Sequence, residues 1–140
     1  MKYISHSPSE TEEIAKSLAK TVSAPRVICL IGDLGAGKTA FTRGFASAYG
    51  IEKGVSSPTF TLQHRYEAKG MRINHYDLYR LTDGDELLDI GFEEDIETGI
   101  SLIEWPDAFL PLMPADRITV RITRGEGIDE RIIEIEGAEI

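Results

Sequence analysis

The chain has 140 residues, with 15 Lys and Arg against 24 Asp and Glu, a formal net charge of −9 and one cysteine. That length suits one domain with a core of roughly five to seven strands and leaves little room for a second domain or a large lid. The acidic balance speaks against a protein whose main work is gripping nucleic acid. Cys29 alone excludes an intrachain disulfide and reads as a small buried apolar residue. With no leader sequence and no apolar run near the ~20 residues of a membrane span, a cytoplasmic location and no membrane contact are expected.

In chain order, Ser7 and Glu10 form a capping box with Pro8 at the first helical position, and Ile14, Leu18 and Val22 share a face. The pattern predicts a helix over residues 8–22, closed by Pro25. Arg26, Val27, Ile28, Cys29, Leu30 and Ile31 read as a buried strand. Residues 32–39 follow as Gly32-Asp33-Leu34-Gly35-Ala36-Gly37-Lys38-Thr39, a full match to G-x-x-x-x-G-K-[ST]. Phe41, Phe45, Ala48 and Tyr49 then recur at helical spacing, and Gly50 supplies a stop. Residues 51–57 lack a period. Phe60, Leu62 and Tyr66 fall on one parity, as do Met71, Ile73 and His75 after a turn at Ala68-Lys69-Gly70, so a hairpin is predicted. Asp83 to Glu86 resemble a capped start for a short helix carrying Leu87, Leu88 and Ile90, ended by Gly91. Residues 93–96 make one further turn. Ile100, Ser101, Leu102 and Ile103 form an apolar strand ending in Glu104. Pro106, Pro111 and Pro114 predict loop, and residues 118–122 and 132–135 alternate around a glycine-rich turn as a second hairpin.

These elements imply a mixed parallel and antiparallel sheet in an α/β, three-layer fold of the P-loop NTPase type. The strands before Gly32 and before Glu104 should be central, being the most continuously apolar. Each position of the loop has a phosphate-binding task. Glycines let backbone N–H groups close around phosphate oxygens, Lys38 reaches the β- and γ-phosphates, Thr39 offers a hydroxyl to Mg²⁺, and the following helix points its positive end at the anion.

Such a site needs an acid at the end of a neighbouring apolar strand. Glu104 follows the better buried strand and is assigned to Mg²⁺. Asp77 ends a half-polar strand and is read either as the residue that orients the attacking water or as a turn acid. His75 reads as a satisfied structural histidine ahead of a catalyst, and Arg80 as the partner of an acid ahead of an internal finger on phosphate. Ser56, Ser57, Pro58 and Thr59 are either a switch that senses the γ-phosphate or an ordinary turn. Trp105 lies near the nucleotide, on a partner surface, or simply in a loop covering the edge of the core. The N-K-x-D guanine motif is absent, so the base expected is adenine. A small-molecule kinase would use the same Lys38 and Thr39, but it needs an acceptor site and an arginine-bearing lid, and no lid insertion is visible.

Four motifs in this order, Gly32 to Thr39, Ser57-Pro58-Thr59-Phe60, His75-Tyr76-Asp77-Leu78-Tyr79-Arg80 and Ile103-Glu104-Trp105-Pro106, resemble the TsaE (YjeE) family of small bacterial P-loop ATPases over nearly the whole chain. The resemblance implies a Mg²⁺-dependent ATPase, with ATP and Mg²⁺ as cofactors, that supports formation of threonylcarbamoyladenosine at position 37 of tRNA. Its implied partners are TsaB and TsaD, with tRNA met only indirectly through them, and the chain by itself a monomer or weak oligomer. It carries over Lys38, Asp77 and Glu104 as catalytic residues and Thr39 and Glu104 as Mg²⁺ ligands. It places nucleotide contacts along Gly32, Asp33, Leu34, Gly35, Ala36, Gly37, Lys38, Thr39 and Ala40, with Thr59 in the switch and Trp105 beside the active site. Ala40 stands where a second Thr is common, removing a hydroxyl near the α-phosphate. Tyr76 stands where Phe is frequent, which reads as an exposed-hydroxyl difference. Residues 9–11 and 123–131 are candidate nucleotide-edge contacts.

Overall fold

In a computed structural model, which describes residues 1–33, 35–58 and 62–140, seven strands form one mixed sheet. They are β1 (Lys2–Ser5), β2 (Arg26–Ile31), β3 (Gln63–Ala68), β4 (Met71–Asp77), β5 (Ile100–Glu104), β6 (Ile118–Arg124) and β7 (Arg131–Glu136), in the spatial order β1-β7-β6-β2-β5-β4-β3. The central strands β6, β2, β5 and β4 run parallel, and the outer pairs β1–β7, β6–β7 and β3–β4 are antiparallel. As expected from their apolar runs, β2 and β5 lie inside the sheet. Both are buried on two faces, because helices cover both.

Alternation along the strands divides the core in two. Ile28 and Leu30 of β2, Ile100 and Leu102 of β5 and Ile73 of β4 face α1 (Pro8–Ala19) and α2 (Lys38–Ser47). Val27 and Cys29 of β2, Ile103 of β5 and Tyr76 of β4 face the opposite layer. That layer holds α3 (Gly84–Asp89), α4 (Phe92–Asp95) and a 3₁₀ helix at Asp107–Leu112. Burying Phe41 and Phe45 of α2 against the first face stabilises the fold by about 1.5–3 kcal/mol each.

Helix α1 starts where the capping pattern places it. The Ser7 hydroxyl accepts the Glu10 N–H at 3.1 Å, worth about 1 kcal/mol. The return arm of the box reaches one residue further back, since Glu10 Oε2 accepts the N–H of His6 rather than that of Ser7. The helix ends at Ala19, not at residue 22, and its buried stripe is Thr11, Ala15, Leu18 and Ala19.

Three further corrections come from contacts that periodicity does not show. Strand β1 has no signature in the sequence, because Lys2-Tyr3-Ile4-Ser5 lacks a clean alternation. It exposes Ile4 and buries Ser5, whose hydroxyl is satisfied by Thr11 Oγ1 at 2.7 Å and the Ser7 carbonyl at 2.8 Å. The proline-rich stretch is a 3₁₀ helix rather than loop, with Phe109 N–H on Pro106 O and Met113 N–H on Leu110 O. Leu62 lies before β3 at φ 67°, not within it, and Phe60 falls outside the described residues. The β3–β4 turn sits at the position its residues predict. Lys69 and Gly70 both take left-handed φ, the geometry of a two-residue hairpin turn.

Candidate active site

The register of β4 and β5 sets Asp77 directly beside Glu104, and that of β2 and β5 sets Leu30 on the other side of Glu104. Strand parity directs Asp77, Glu104 and His75 to the α1–α2 face, toward the loop that leaves β2. The site therefore forms at the carboxyl ends of three adjacent parallel strands, where an open α/β sheet has its crevice.

The loop runs from Gly32 into α2. Its last residue, Gly37, sits at φ 112°, where a Cβ would be strained, and places Lys38 as the first helical residue. Arg131 of β7 braces the loop from outside. Its Nε donates to Ala36 O at 2.9 Å and its Nη2 to Gly35 O at 3.3 Å. Tying these carbonyls outward keeps them from facing an anion. Sequence reasoning misses this positioning role; it offers only the 123–131 turn as an edge contact.

Gly35, Gly37, Lys38, Thr39, Ser57, Asp77, Glu104 and Trp105 enclose a cavity of about 300 Å³. Lys38 is 5% exposed, and among the described residues its Nζ has no hydrogen-bond partner. Nζ stands 3.9 Å from Glu104 Oε1 and 3.9 Å from the centre of the Trp105 ring. Burial holds its pKa below the usual lysine range, against the pull of the Glu104 and Asp77 carboxylates. A buried ammonium without a hydrogen-bonding acceptor is costly, and an anion entering the cavity would relieve that cost.

The two acids differ in their surroundings. Glu104 Oε2 meets His75 Nε2 at 2.6 Å, leaving Oε1 toward Lys38. Asp77 Oδ1 accepts the Tyr79 N–H at 2.9 Å, as a turn acid does, while Oδ2 accepts the Ser57 hydroxyl at 3.4 Å. Asp77 is thus both a turn acid and a wall of the cavity.

Trp105 holds a left-handed φ of 55° directly after β5, a strained conformation for a large side chain. Its ring packs on the exposed Tyr79 at 4.9 Å between centroids and forms the lip of the cavity. Behind it lies a second cavity of about 280 Å³ that Gly32, Asp33 and Ala36 share with Arg121 and Arg124. Ala40 instead borders a small cleft with Thr11, Gly37 and Arg131, so the two candidate edge segments do meet beside the loop. Leu34 and Thr59 lie outside the described residues. Tyr76 corrects the sequence reading: it is fully buried, and its hydroxyl donates to Asp95.

Among the described residues, no three His, Cys, Asp or Glu side chains converge on a metal position. A cavity lined by the Glu104 carboxylate and Thr39 offers the one or two oxygen ligands from protein that Mg²⁺ commonly takes.

Fold and site together define a mixed-sheet α/β protein of the P-loop type. The family model described as Threonylcarbamoyl adenosine biosynthesis protein TsaE matches residues 5–133. The chain is 40% identical over 134 residues to the tRNA threonylcarbamoyladenosine biosynthesis protein TsaE of Bacillus subtilis, covering 95% of this chain and 83% of that one. It is 42% identical over 110 residues to the Haemophilus influenzae protein of the same name, covering 78% and 68%. The crystal structure of Bacillus subtilis YdiB superposes with a TM-score of 0.77 at 37% identity, covering 95% of this chain and 82% of that one. The chain belongs to the TsaE family.

Proposed function

We propose that this chain binds Mg²⁺–ATP in the Lys38 cavity and hydrolyses it, as the ATPase of the tRNA threonylcarbamoyladenosine-forming machinery, with TsaB and TsaD as partners. The observation that carries the reading is the buried Lys38 ammonium, left without an acceptor among the described residues in a glycine-walled cavity beside two strand-end carboxylates. Backbone N–H groups of the loop and the N-terminus of α2 would hold the phosphates, with the Lys38 ammonium as their counter-charge. Thr39 and Glu104 would hold the metal, whose chemistry when bound would be to neutralise phosphoryl charge. Asp77 orients the water that attacks the γ-phosphorus, aided by Ser57. Trp105 closes the mouth against bulk water. Membership of a family whose curated members are named for tRNA threonylcarbamoyladenosine biosynthesis supports the pathway. Among the described residues no helix is long and apolar enough to cross a membrane.

The test is ATP hydrolysis by the wild type and Lys38→Ala, each alone and with TsaB, TsaD and tRNA. Lys38→Ala is expected to lose at least about 100-fold in kcat, as when a group stabilising transition-state charge is removed, and to abolish support of tRNA modification. Its circular dichroism should stay that of the wild type. Wild-type turnover in the variant would refute the assignment.

A further inference from the structure

We propose that His75 is the positioning residue for Glu104: it holds one carboxylate oxygen so that the other is presented to the metal and kept out of direct contact with Lys38. The inference rests on the ATPase reading above and goes beyond it. His75 is fully buried, Glu104 is 3% exposed, and the Nε2–Oε2 distance of 2.6 Å is that of a charge-assisted hydrogen bond. The sheet register builds this contact. His75 pairs with Leu102 on the neighbouring strand, and parity puts the imidazole on the same face as Glu104, two residues on.

A buried histidine serving packing alone would be expected to satisfy its nitrogens from the backbone. Here Nδ1 has no hydrogen-bond partner among the described residues, and Nε2 is committed to the acid of the site. The ring is held by its walls. His64 and Tyr66 of β3 stand 6.4 and 6.3 Å from it, centroid to centroid. Both are tied to the segment that enters the cavity, His64 Nδ1 lying 3.1 Å from Ser56 O and the Tyr66 hydroxyl donating to the same oxygen at 3.3 Å. With Oε2 engaged, Glu104 stands 3.9 Å from Lys38 instead of closing on it. Without that bond, the carboxylate is free to rotate and no longer presents Oε1 to the metal. Partners that orient a metal ligand in this way affect affinity and rate without touching the metal.

The experiment compares full-length wild type, His75→Leu and His75→Gln. Leucine fills the space without a donor, and the glutamine amide reaches the place of Nε2. Mn²⁺ binding to the protein–ATP complex is read by electron paramagnetic resonance, alongside metal-free ATP affinity and kcat. His75→Leu is expected to weaken Mn²⁺ binding and lower kcat by about 10-fold or more, the usual effect of losing a partner of a metal ligand. Metal-free ATP affinity should stay within about two-fold, and His75→Gln should recover most of both losses. On a Glu104→Gln background, His75→Leu should add less than about three-fold, because two residues that act as a unit are not additive.

Unchanged Mn²⁺ affinity in His75→Leu, no rescue by glutamine, or a full additive loss on Glu104→Gln would each overturn the proposal. If His75→Leu does not fold, His75→Asn replaces it. Its amide stops at the Nδ1 position, and metal affinity equal to that of His75→Gln would overturn the proposal equally. A wild type that neither hydrolyses ATP nor binds Mn²⁺ with it would instead refute the ATPase reading, independently of the His75 variants.

Discussion

Glu104 and Asp77 are neighbours across one ladder, yet their surroundings differ. Glu104 turns one oxygen to the Lys38 cavity, whereas both oxygens of Asp77 are engaged, by Tyr79 and Ser57. Glu104→Gln should therefore cost metal affinity and about 100-fold or more in kcat, since a neutral amide is a poor ligand for a hard cation. Asp77→Asn should lower kcat by at least about 10-fold, as for a lost general base or water-orienting group, while leaving Mn²⁺ affinity near wild type. Metal titration of both variants checks the assignment, and the reverse pattern would exchange the two roles. Cys29 makes a second case at this scale. Buried in mid-strand, its thiol is pushed up to about 11, chiefly by burial. At pH 8 only about one part in a thousand is thiolate, the reactive form. Ellman's reagent should leave the native protein unlabelled and label one thiol after unfolding in urea.

Helices α1 and α2 pack as a pair on one face of the sheet, and Gly44 permits it. A Cβ there would lie 2.3 Å from the Glu12 carbonyl oxygen, a backbone atom that cannot swing aside. In an exposed helix interior Gly→Ala stabilises by up to about 1 kcal/mol. Here Gly44→Ala should destabilise by about 1–3 kcal/mol, as overpacking does, read as a lower urea midpoint with unchanged slope. Because α2 carries Lys38 at its first turn, the same variant should raise the KM for ATP. On the other face, Asp95 of α4 accepts from Gln63, Arg65 and Tyr76, fastening this layer to β3 and β4 through one carboxylate.

Charge is distributed unevenly along the chain. Residues 81–116, which include α3, α4 and the 3₁₀ helix, contain eleven of the 24 acids and none of the 15 bases, so the rest of the chain is net +2. The formal −9 is thus concentrated in one segment of the chain. Arg121 and Arg124 are exposed on β6 beside the glycine-rich loop. This surface is too small to neutralise many phosphates, and removing an arginine from it weakens both the binding and its salt dependence. Direct tRNA binding by the isolated protein should be weak, vanish at physiological salt and fall further in Arg121→Ala/Arg124→Ala. Gel retardation checks this, and a tight complex at physiological salt would contradict it.

What the sequence determined alone was local. The glycine spacing before Lys38, the Ser7 and Asp83 caps, the Lys69–Gly70 turn and the continuous apolar runs of β2 and β5 each depend on residues within about ten positions of one another, so dihedral preference and apolar pattern suffice to read them. Glu104 and Asp77 were legible as strand ends for the same reason. The tertiary structure decided everything that joins distant segments. It placed Glu104 between Lys38 and His75, brought Arg131 to the glycine-rich loop, buried Tyr76 on Asp95, added β1 to the edge of β7 and seated Gly44 on Glu12. The Tyr76–Asp95 bond joins residues 19 positions apart and the Arg131–Ala36 bond residues 95 apart. Such pairings depend on strand order and register, which no local pattern encodes. His75 shows the difference most clearly: in the sequence it is one polar residue on a strand, and only the register of β4 on β5 makes it the partner of Glu104.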